Sequence, residues 1–519
     1  MRGKPLHPME ASTSWPAAAG WDGSAQGQPV AHGAPAASAA IGAVSGAMGG
    51  GEVPGTGPQV AVDYQVVGEI KRQVARKLHE WQQLRARGPV SRATLEQRSR
   101  GWISEAVAVW AEAAAAVRGV SPRPTEDAAL AEAVFNALHR AGRLQPLLDR
   151  EDVEDILING HDEVWVDRGD QRLVRAAPVA DSEEELLELL RDLARNSGAG
   201  QAERSISTAS PFLALRLPDG SRLQAVTGVS GERTYVAIRR HGVSDADLHD
   251  MVRLGTVSEP LRALLAAAMD AQKNVMIVGP QRAGKTSLMR AMLRHLPPDE
   301  RFATVETEFE LWCHTNGYHQ QVVPMEARES NGERGADGRP AGEITMLDLM
   351  FRALRMSLSR IVVGEVRGPE VTAMMQAMTN GQGGNLCTLH ATSPQAVFDR
   401  LCELYLEAGG NRSEQLAYRQ AANGLDFVVF VSLLDETRIG GRRHRFVSHV
   451  LEVCGVGENG RPATNVIFEP GTEMGEVRAV PRRYPACIDD LRRVGFDAHL
   501  LDWPHGTWAA PLELKVGPG

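Results

Sequence analysis

The chain has 519 residues, 43% of them apolar and 23% charged, with a formal net charge of -9. At roughly 150 residues per domain, that length allows two to four cored domains. The acidic balance argues against a protein that coats nucleic acid. Five cysteines without a C-x-x-C pair argue against a disulfide framework or a zinc ribbon and suit a reducing cytoplasm. No run reaches the roughly 18 apolar residues of a membrane helix, since Glu112 interrupts the best stretch, Ala106–Val117. Arg2 and Lys4 are followed by no apolar core, so no signal peptide is expected. These features predict a cytoplasmic protein that meets the inner face of a membrane only through partners.

Residues 1–62 are Gly, Ala, Pro and Ser with few large apolar side chains, a composition that predicts a disordered tail. A helical segment is expected over 63–130. Ile70, Val74, Leu78 and Trp81 recur at helical spacing, Trp102, Ala106, Val109 and Ala113 suggest a second helix, and a third runs from about Thr125 to Arg140. Residues 131–243 read as an α+β domain. Ile156-Leu157-Ile158 and Val164-Trp165-Val166 flank the turn signal Asn159-Gly160, and Ser182 with Glu185 reads as a capping box. Pro218-Asp219-Gly220 joins two further short strands. A linker is expected over 244–257. Residues 258–480 alternate strands and helices, which predicts an α/β core of RecA type, and 481–519 read as irregular.

The strongest chemical signal is Gly279-Pro280-Gln281-Arg282-Ala283-Gly284-Lys285-Thr286, a phosphate loop between an apolar strand and a helix that continues through Ser287. Loop and helix amides surround a phosphate, Lys285 supplies charge to the β- and γ-phosphates of ATP, and Thr286 offers a hydroxyl to Mg²⁺. About 80 residues later, Arg360-Ile361-Val362-Val363-Gly364-Glu365 is an apolar strand ending in an acid, suited to a place beside Mg²⁺ and the attacking water. Cys313, His314 and His319 offer too few ligands for a metal site.

With Cys387-Thr388-Leu389-His390-Ala391 downstream, this pair of motifs resembles the type II/type IV secretion ATPase superfamily. Within it, the chain resembles the CpaF/TadA-like branch that powers Tad (Flp) pilus assembly. Further similar segments are Ile156–Gly160 with Val164–Val166, the hairpin Arg216-Leu217-Pro218-Asp219-Gly220-Ser221-Arg222-Leu223, Ile238-Arg239-Arg240 and Leu354-Arg355-Met356. The resemblance implies an N-terminal α+β domain flexibly joined to a RecA-like ATPase core, assembled as a homo-oligomeric, hexameric ring that acts on inner-membrane platform proteins without touching nucleic acid. It makes Glu306 a general base or water-positioner, Glu365 the Walker B acid and a Mg²⁺ ligand, and His390 a sensor of the γ-phosphate. Arg216, Arg222 and Arg239 would approach nucleotide as the N-terminal domain closes. It also admits a conjugation-type secretion ATPase and a weakly hydrolysing regulatory ring. The chain departs from the family pattern at Thr307 (usually Asp), Gln382 (usually His) and Ser357-Leu358-Ser359 (usually Arg-Pro-Asp).

Overall fold

The computed structural model describes residues 62–84, 90–118, 123–169, 173–196, 206–240, 246–328, 342–381, 383–410, 412–471, 475–504, 507–508 and 510–516. All but the last residue of the segment 1–62, and Gln382, lie outside these described residues. Helices Tyr64–Leu84, Arg92–Arg118 and Pro124–His139 pack around Val67, Ile70, Val74, Ile103, Val107, Val134 and Phe135. The spacing of Ile70 and Val74 keeps both on the buried stripe, while Trp81 stays half-buried, edge-on to Trp102.

The next unit is a six-stranded antiparallel sheet. Its strands are β1 (Asp155–Asn159), β2 (Val164–Asp167), β3 (Val174–Ala176), β4 (Phe212–Arg216), β5 (Arg222–Val226) and β6 (Tyr235–Arg239), in the order β3-β2-β1-β6-β5-β4. Alternation sends Ile156, Ile158, Leu215, Leu223, Val236 and Ile238 to one face, where Leu186, Leu190 and Leu193 of helix Glu183–Asn196 cover them. At the start of that helix, Ser182 Oγ accepts from the Glu185 amide at 3.2 Å. Glu185 reaches back to the amide of Asp181, not of Ser182, so the capping box is displaced by one residue.

The ATPase-like core is a nine-stranded sheet. Its strands are β7 (Val275–Gly279), β8 (Arg301–Glu306), β9 (Gln321–Glu326), β10 (Arg360–Val366), β11 (Leu386–His390), β12 (Phe427–Asp435), β13 (Arg443–Val456), β14 (Pro462–Pro470) and β15 (Ala479–Pro481). The order is β15-β14-β13-β12-β7-β11-β10-β8-β9. Strands from β12 to β9 in that order are parallel, and β12 to β15 form an antiparallel extension. Helices cover both faces, so central strands are apolar throughout: Val275 and Ile277 enter one core, Met276 and Val278 the other. The fold is α/β, with a RecA-like phosphate-loop core preceded by a smaller α+β domain.

Two stretches differ from expectation. The segment 244–257 contains helix Leu248–Arg253, opened by a capping box of Asp247 and Asp250, and Leu248, Met251 and Val257 are buried in the ATPase core. The segment 481–519 contains helix Ile488–Arg493, and Leu491, Phe496 and Leu501 join the same core. Near the end of the chain, the amides of Lys515 and Val516 donate to the buried Glu436 at 3.0–3.2 Å. Each stretch carries only a few core residues, spaced among charges, too few to show a period.

Asn274 sets the start of β7. Its side-chain amide donates to the carbonyls of Met378 (3.1 Å) and Gly424 (2.7 Å), and its side-chain oxygen accepts from the backbone and side chain of Asn385 (both 3.0 Å). One buried side chain thus ties β7 to the ends of two helices and to the start of β11. Asn274→Ala orphans several buried groups, and we expect a loss of about 2–4 kcal/mol of stability, read from the denaturant midpoint.

Candidate functional site

β7 ends in the phosphate loop at the carboxyl edge of the parallel strands, where open α/β sheets place ligands. Gly279 has φ +152°, and a Cβ there would lie 2.2 Å from the carbonyl oxygen of Val431 on β12, so only glycine fits. Gly284, at φ +93°, turns the chain into helix Lys285–Arg294. The first-turn amides of that helix have no intrahelical acceptor, and no side chain caps them, which leaves an anion-binding end.

Lys285 is buried and donates to the carbonyls of Gly279 (3.2 Å) and Pro280 (2.9 Å) and to His390 Nδ1 (3.1 Å). Burial lowers its pKa to about 8; Arg239 and Arg367 push the same way, and Glu365 and Glu310 oppose them. An ammonium only donates, so His390 Nδ1 accepts and the ring hydrogen sits on Nε2. That nitrogen lies 2.7 Å from Glu365 Oε1, in a contact bent away from ideal hydrogen-bond geometry. Arg367 grips the other Glu365 oxygen. Burial pushes Glu365 up, but the contacts with His390 and Arg367 outweigh it and hold the carboxyl at about 2.

The register of the six-stranded sheet brings five charged residues into one cross-strand row. Asp155 pairs with Asp167 and with Arg239, Arg239 with Arg222, and Arg222 with Arg216. This row faces the ATPase core. Asp155 and Asp167 meet Arg282 of the phosphate loop. Arg222 binds Glu308 and Glu310, and Arg216 binds Glu326 while lying over the rings of Phe309 and Trp312. Gly220, in the turn between β4 and β5, packs so closely on Trp312 that a Cβ would come within 2.8 Å of the indole. Between the row and the loop lies a cleft of about 360 Å³. Arg222, Arg239, Gln281, Arg282, Gly284, Lys285, Thr286, Ser287, Glu365 and His390 all line it.

Three expected placements differ. Glu306 is buried at the end of β8, beside Gly364, and does not line the cleft. Its Oε2 accepts from the amides of Glu310 (2.7 Å) and Leu311 (2.8 Å), so it shapes the turn that carries Glu308 and Glu310. Burial raises its pKa to about 7 against those two amides. Arg216 stands at the far end of the row, on Glu326, outside the cleft. Glu365 has its oxygens engaged by His390 and Arg367, whereas the acid beside Thr286 is Glu310, with Oε2 3.5 Å from Thr286 Oγ1. A hydroxyl and a carboxylate are the hard oxygen donors that suit Mg²⁺.

Arg367, Arg240, Arg290 and Arg445 also line the cleft and were not foreseen; Glu310, one of the acids that stand close to Thr307 in the sequence, lines it too. Arg367 stood within a few residues of the motif acid Glu365, the one signal that could have found it. Glu370, also unforeseen, accepts from the amides of Arg367 (2.6 Å) and Gly368 (2.8 Å) and fixes the turn after β10. Of the departures from the family pattern, Thr307 is exposed. Ser359 is structural, its hydroxyl 2.6 Å from Glu300 and 3.0 Å from the carbonyl of Arg301.

A phosphate loop at the end of a parallel sheet, with an acid-bearing neighbour strand, defines a P-loop nucleotide-binding protein. The family model described as type II/IV secretion system protein matches residues 138–437, and the chain belongs to that family. A Mycobacterium tuberculosis protein named as a candidate conjugal transfer protein is 32% identical over 310 residues, 58% of this chain and 82% of that one. The type IV secretion system protein VirB11 of Brucella suis is 27% identical over 333 residues, 59% of this chain and 87% of its own length. The crystal structure of the VirB11 ATPase of Brucella suis with sulphate aligns over 60% of this chain and 95% of that one, at 25% identity and a TM-score of 0.30. No helix among the described residues is long and apolar enough to cross a membrane.

The Glu306 carboxyl has its own signature in pH. Its folded pKa of about 7 lies above its ordinary value of 4.5, so the folded state holds the proton more tightly. Its contribution is fully present below pH 4.5 and is lost as pH rises through 7. Glu306→Gln, permanently neutral, should flatten that decline, so that denaturation curves of mutant and wild type converge at low pH and separate in the mutant's favour near pH 8, the end of the window set by linkage at about one unit past the folded pKa.

Proposed function

We propose that this chain is an ATP-hydrolysing motor of a pilus or secretion machine. One observation carries the reading: the phosphate loop, the Glu365–His390 pair and Arg222 and Arg239 of the preceding domain converge on a single cleft. The loop amides and Lys285 bind the β- and γ-phosphates. Thr286 and Glu310 would hold Mg²⁺, which would neutralise phosphate charge when bound. Glu365, held near pKa 2, is too weakly basic to take a proton from water. It acts by orienting the attacking water, with His390 linking it to Lys285. Arg222 and Arg239 face the charge that spreads onto the γ-phosphoryl oxygens, so seating of the N-terminal domain completes the site.

Membership of the family supports assembly as a homo-oligomer, for which we propose a hexameric ring acting at the cytoplasmic face of an inner membrane. We propose that its partners are the platform proteins of a Tad-type pilus, and that it makes no direct contact with nucleic acid. A conjugation-type secretion ATPase is the second reading, favoured by the similarity to the mycobacterial protein. Pull-down of membrane partners from the native host separates the two.

Lys285→Ala should abolish the thermal stabilisation by ATP-Mg, which for a ligand bound only to the native state is about 2.7 kcal/mol at 100 times its Kd. Equal shifts in mutant and wild type would refute the site. Glu365→Gln should keep ATP affinity within a few-fold and lower phosphate release by roughly 10² or more, the scale of a lost transition-state interaction. Because free Lys285 has a pKa near 8, ATP affinity should weaken as pH rises past that value, measured by titration with a fluorescent ATP analogue.

A further inference from the structure

Arg282 belongs to two places at once. Its backbone is the fourth residue of the phosphate loop, held at φ +63°, a conformation uncommon for a side chain that is not glycine. Its guanidinium leaves the loop and enters the N-terminal sheet, where it meets Asp155 and, at 3.3 Å, Asp167. Asp155 and Asp167 are both buried. Asp167 also takes Arg443 of β13 in a two-oxygen contact at 2.8 and 3.0 Å. Two residues further along β13, Arg445 Nε donates to the carbonyl of Arg282 at 3.0 Å, and its other nitrogens bind Glu154 at 3.0 and 3.1 Å. The side chain and the carbonyl of one loop residue are therefore fastened, and every fastening leads to the N-terminal domain or to a β13 arginine that itself grips that domain.

We propose that Arg282 is a positioning residue: a latch through which the seating of the N-terminal domain on Asp155 and Asp167 holds the phosphate loop in its receptive shape. The proposal rests on the nucleotide reading of the cleft and extends it. A single glycine-like dihedral in the middle of the loop aims its neighbouring amides. An arginine there has an intrinsic cost, and the carboxylates of another domain offset it. By linkage, whatever the seated domain adds to phosphate affinity, bound phosphate returns to the seating. The loop thereby reports its occupancy to the preceding domain by a route separate from Arg222 and Arg239, which line the cleft themselves.

The test works from the N-terminal side, on residues that lie outside the binding loop. In the full-length chain, Asp155→Asn and Asp167→Asn should each weaken binding of a fluorescent ATP analogue with Mg²⁺ by roughly 5- to 20-fold, within the usual range of coupling between sites. Arg282→Gln should weaken it too, and the double variant Arg282→Gln with Asp155→Asn should be no weaker than the worse single one, because both break the same link. In wild type, nucleotide should slow amide hydrogen exchange in β1 and β2; in the single variants that protection should be lost while exchange in β12 and β13 stays at the wild-type rate. If Asp167→Asn, which removes charge from a buried site, fails to fold, Asp155→Asn and the half-exposed Arg282→Gln carry the comparison. Wild type that binds nucleotide while the foldable Asn variants bind it equally well, or a double variant whose losses add, would overturn the latch and leave the nucleotide site intact. Wild type that binds no nucleotide would overturn both.

Discussion

Charge complementarity across one domain boundary governs this structure. The N-terminal sheet presents a cross-strand row that changes sign along its length, with Asp167 and Asp155 at one end and Arg239, Arg222 and Arg216 at the other. The ATPase core answers with the opposite order: Arg443 and Arg282 at one end, Glu310, Glu308 and Glu326 at the other. A one-residue slip of any strand would turn its member of the row to the opposite, apolar face. The hydrophobic alternation that builds the sheet's core therefore also aligns the charges that face the nucleotide cleft.

Such an interface is well suited to moving. An apolar boundary would be hard to open, whereas ion pairs exchange partners for water or phosphate with smaller net change. The two ends differ in burial. Asp167 is enclosed by two arginines, and removing one partner from a buried pair costs about 3–5 kcal/mol. At the other end, Arg222 and Glu310 are about a quarter exposed, and surface pairs of that kind contribute under about 1 kcal/mol. The acidic end is therefore the more tightly held of the two, and the arginines near Lys285 are the more exposed to water.

The titration pattern inside the core separates the acids by task. Glu365 stays ionised because its contacts with Arg367 and His390 outweigh burial, while Glu306, buried and met chiefly by backbone amides, is lifted towards neutrality. An acid with a pKa near 7 would suit proton transfer, yet its burial behind the turn of Glu308 and Glu310 keeps it from the cleft. Its chemistry is spent on shape: it fixes the turn from which Glu310 reaches Thr286 and Arg222.

The sequence by itself determined the phosphate loop, the acid-ended strand and the strand bearing His390, because each is a local pattern whose neighbours in the chain are its neighbours in space. It determined the alternation of β1, β2, β4 and β5 and the α/β character of the core for the same reason, but not β3, whose three residues are too few to show a period, nor β9. Burial and partnership were decided only in three dimensions. Glu306 and Glu310 lie four residues apart in similar surroundings of sequence, and only the packing of β8 against β10 puts one inside and the other at the cleft. Nothing in the sequence singles out Arg443 and Arg445, whose partners Asp167 and Glu154 lie 276 and 291 residues away. Ion pairs leave no periodicity in the chain. Their identity follows from which surfaces the two apolar cores bring face to face, and that is settled when the whole chain folds.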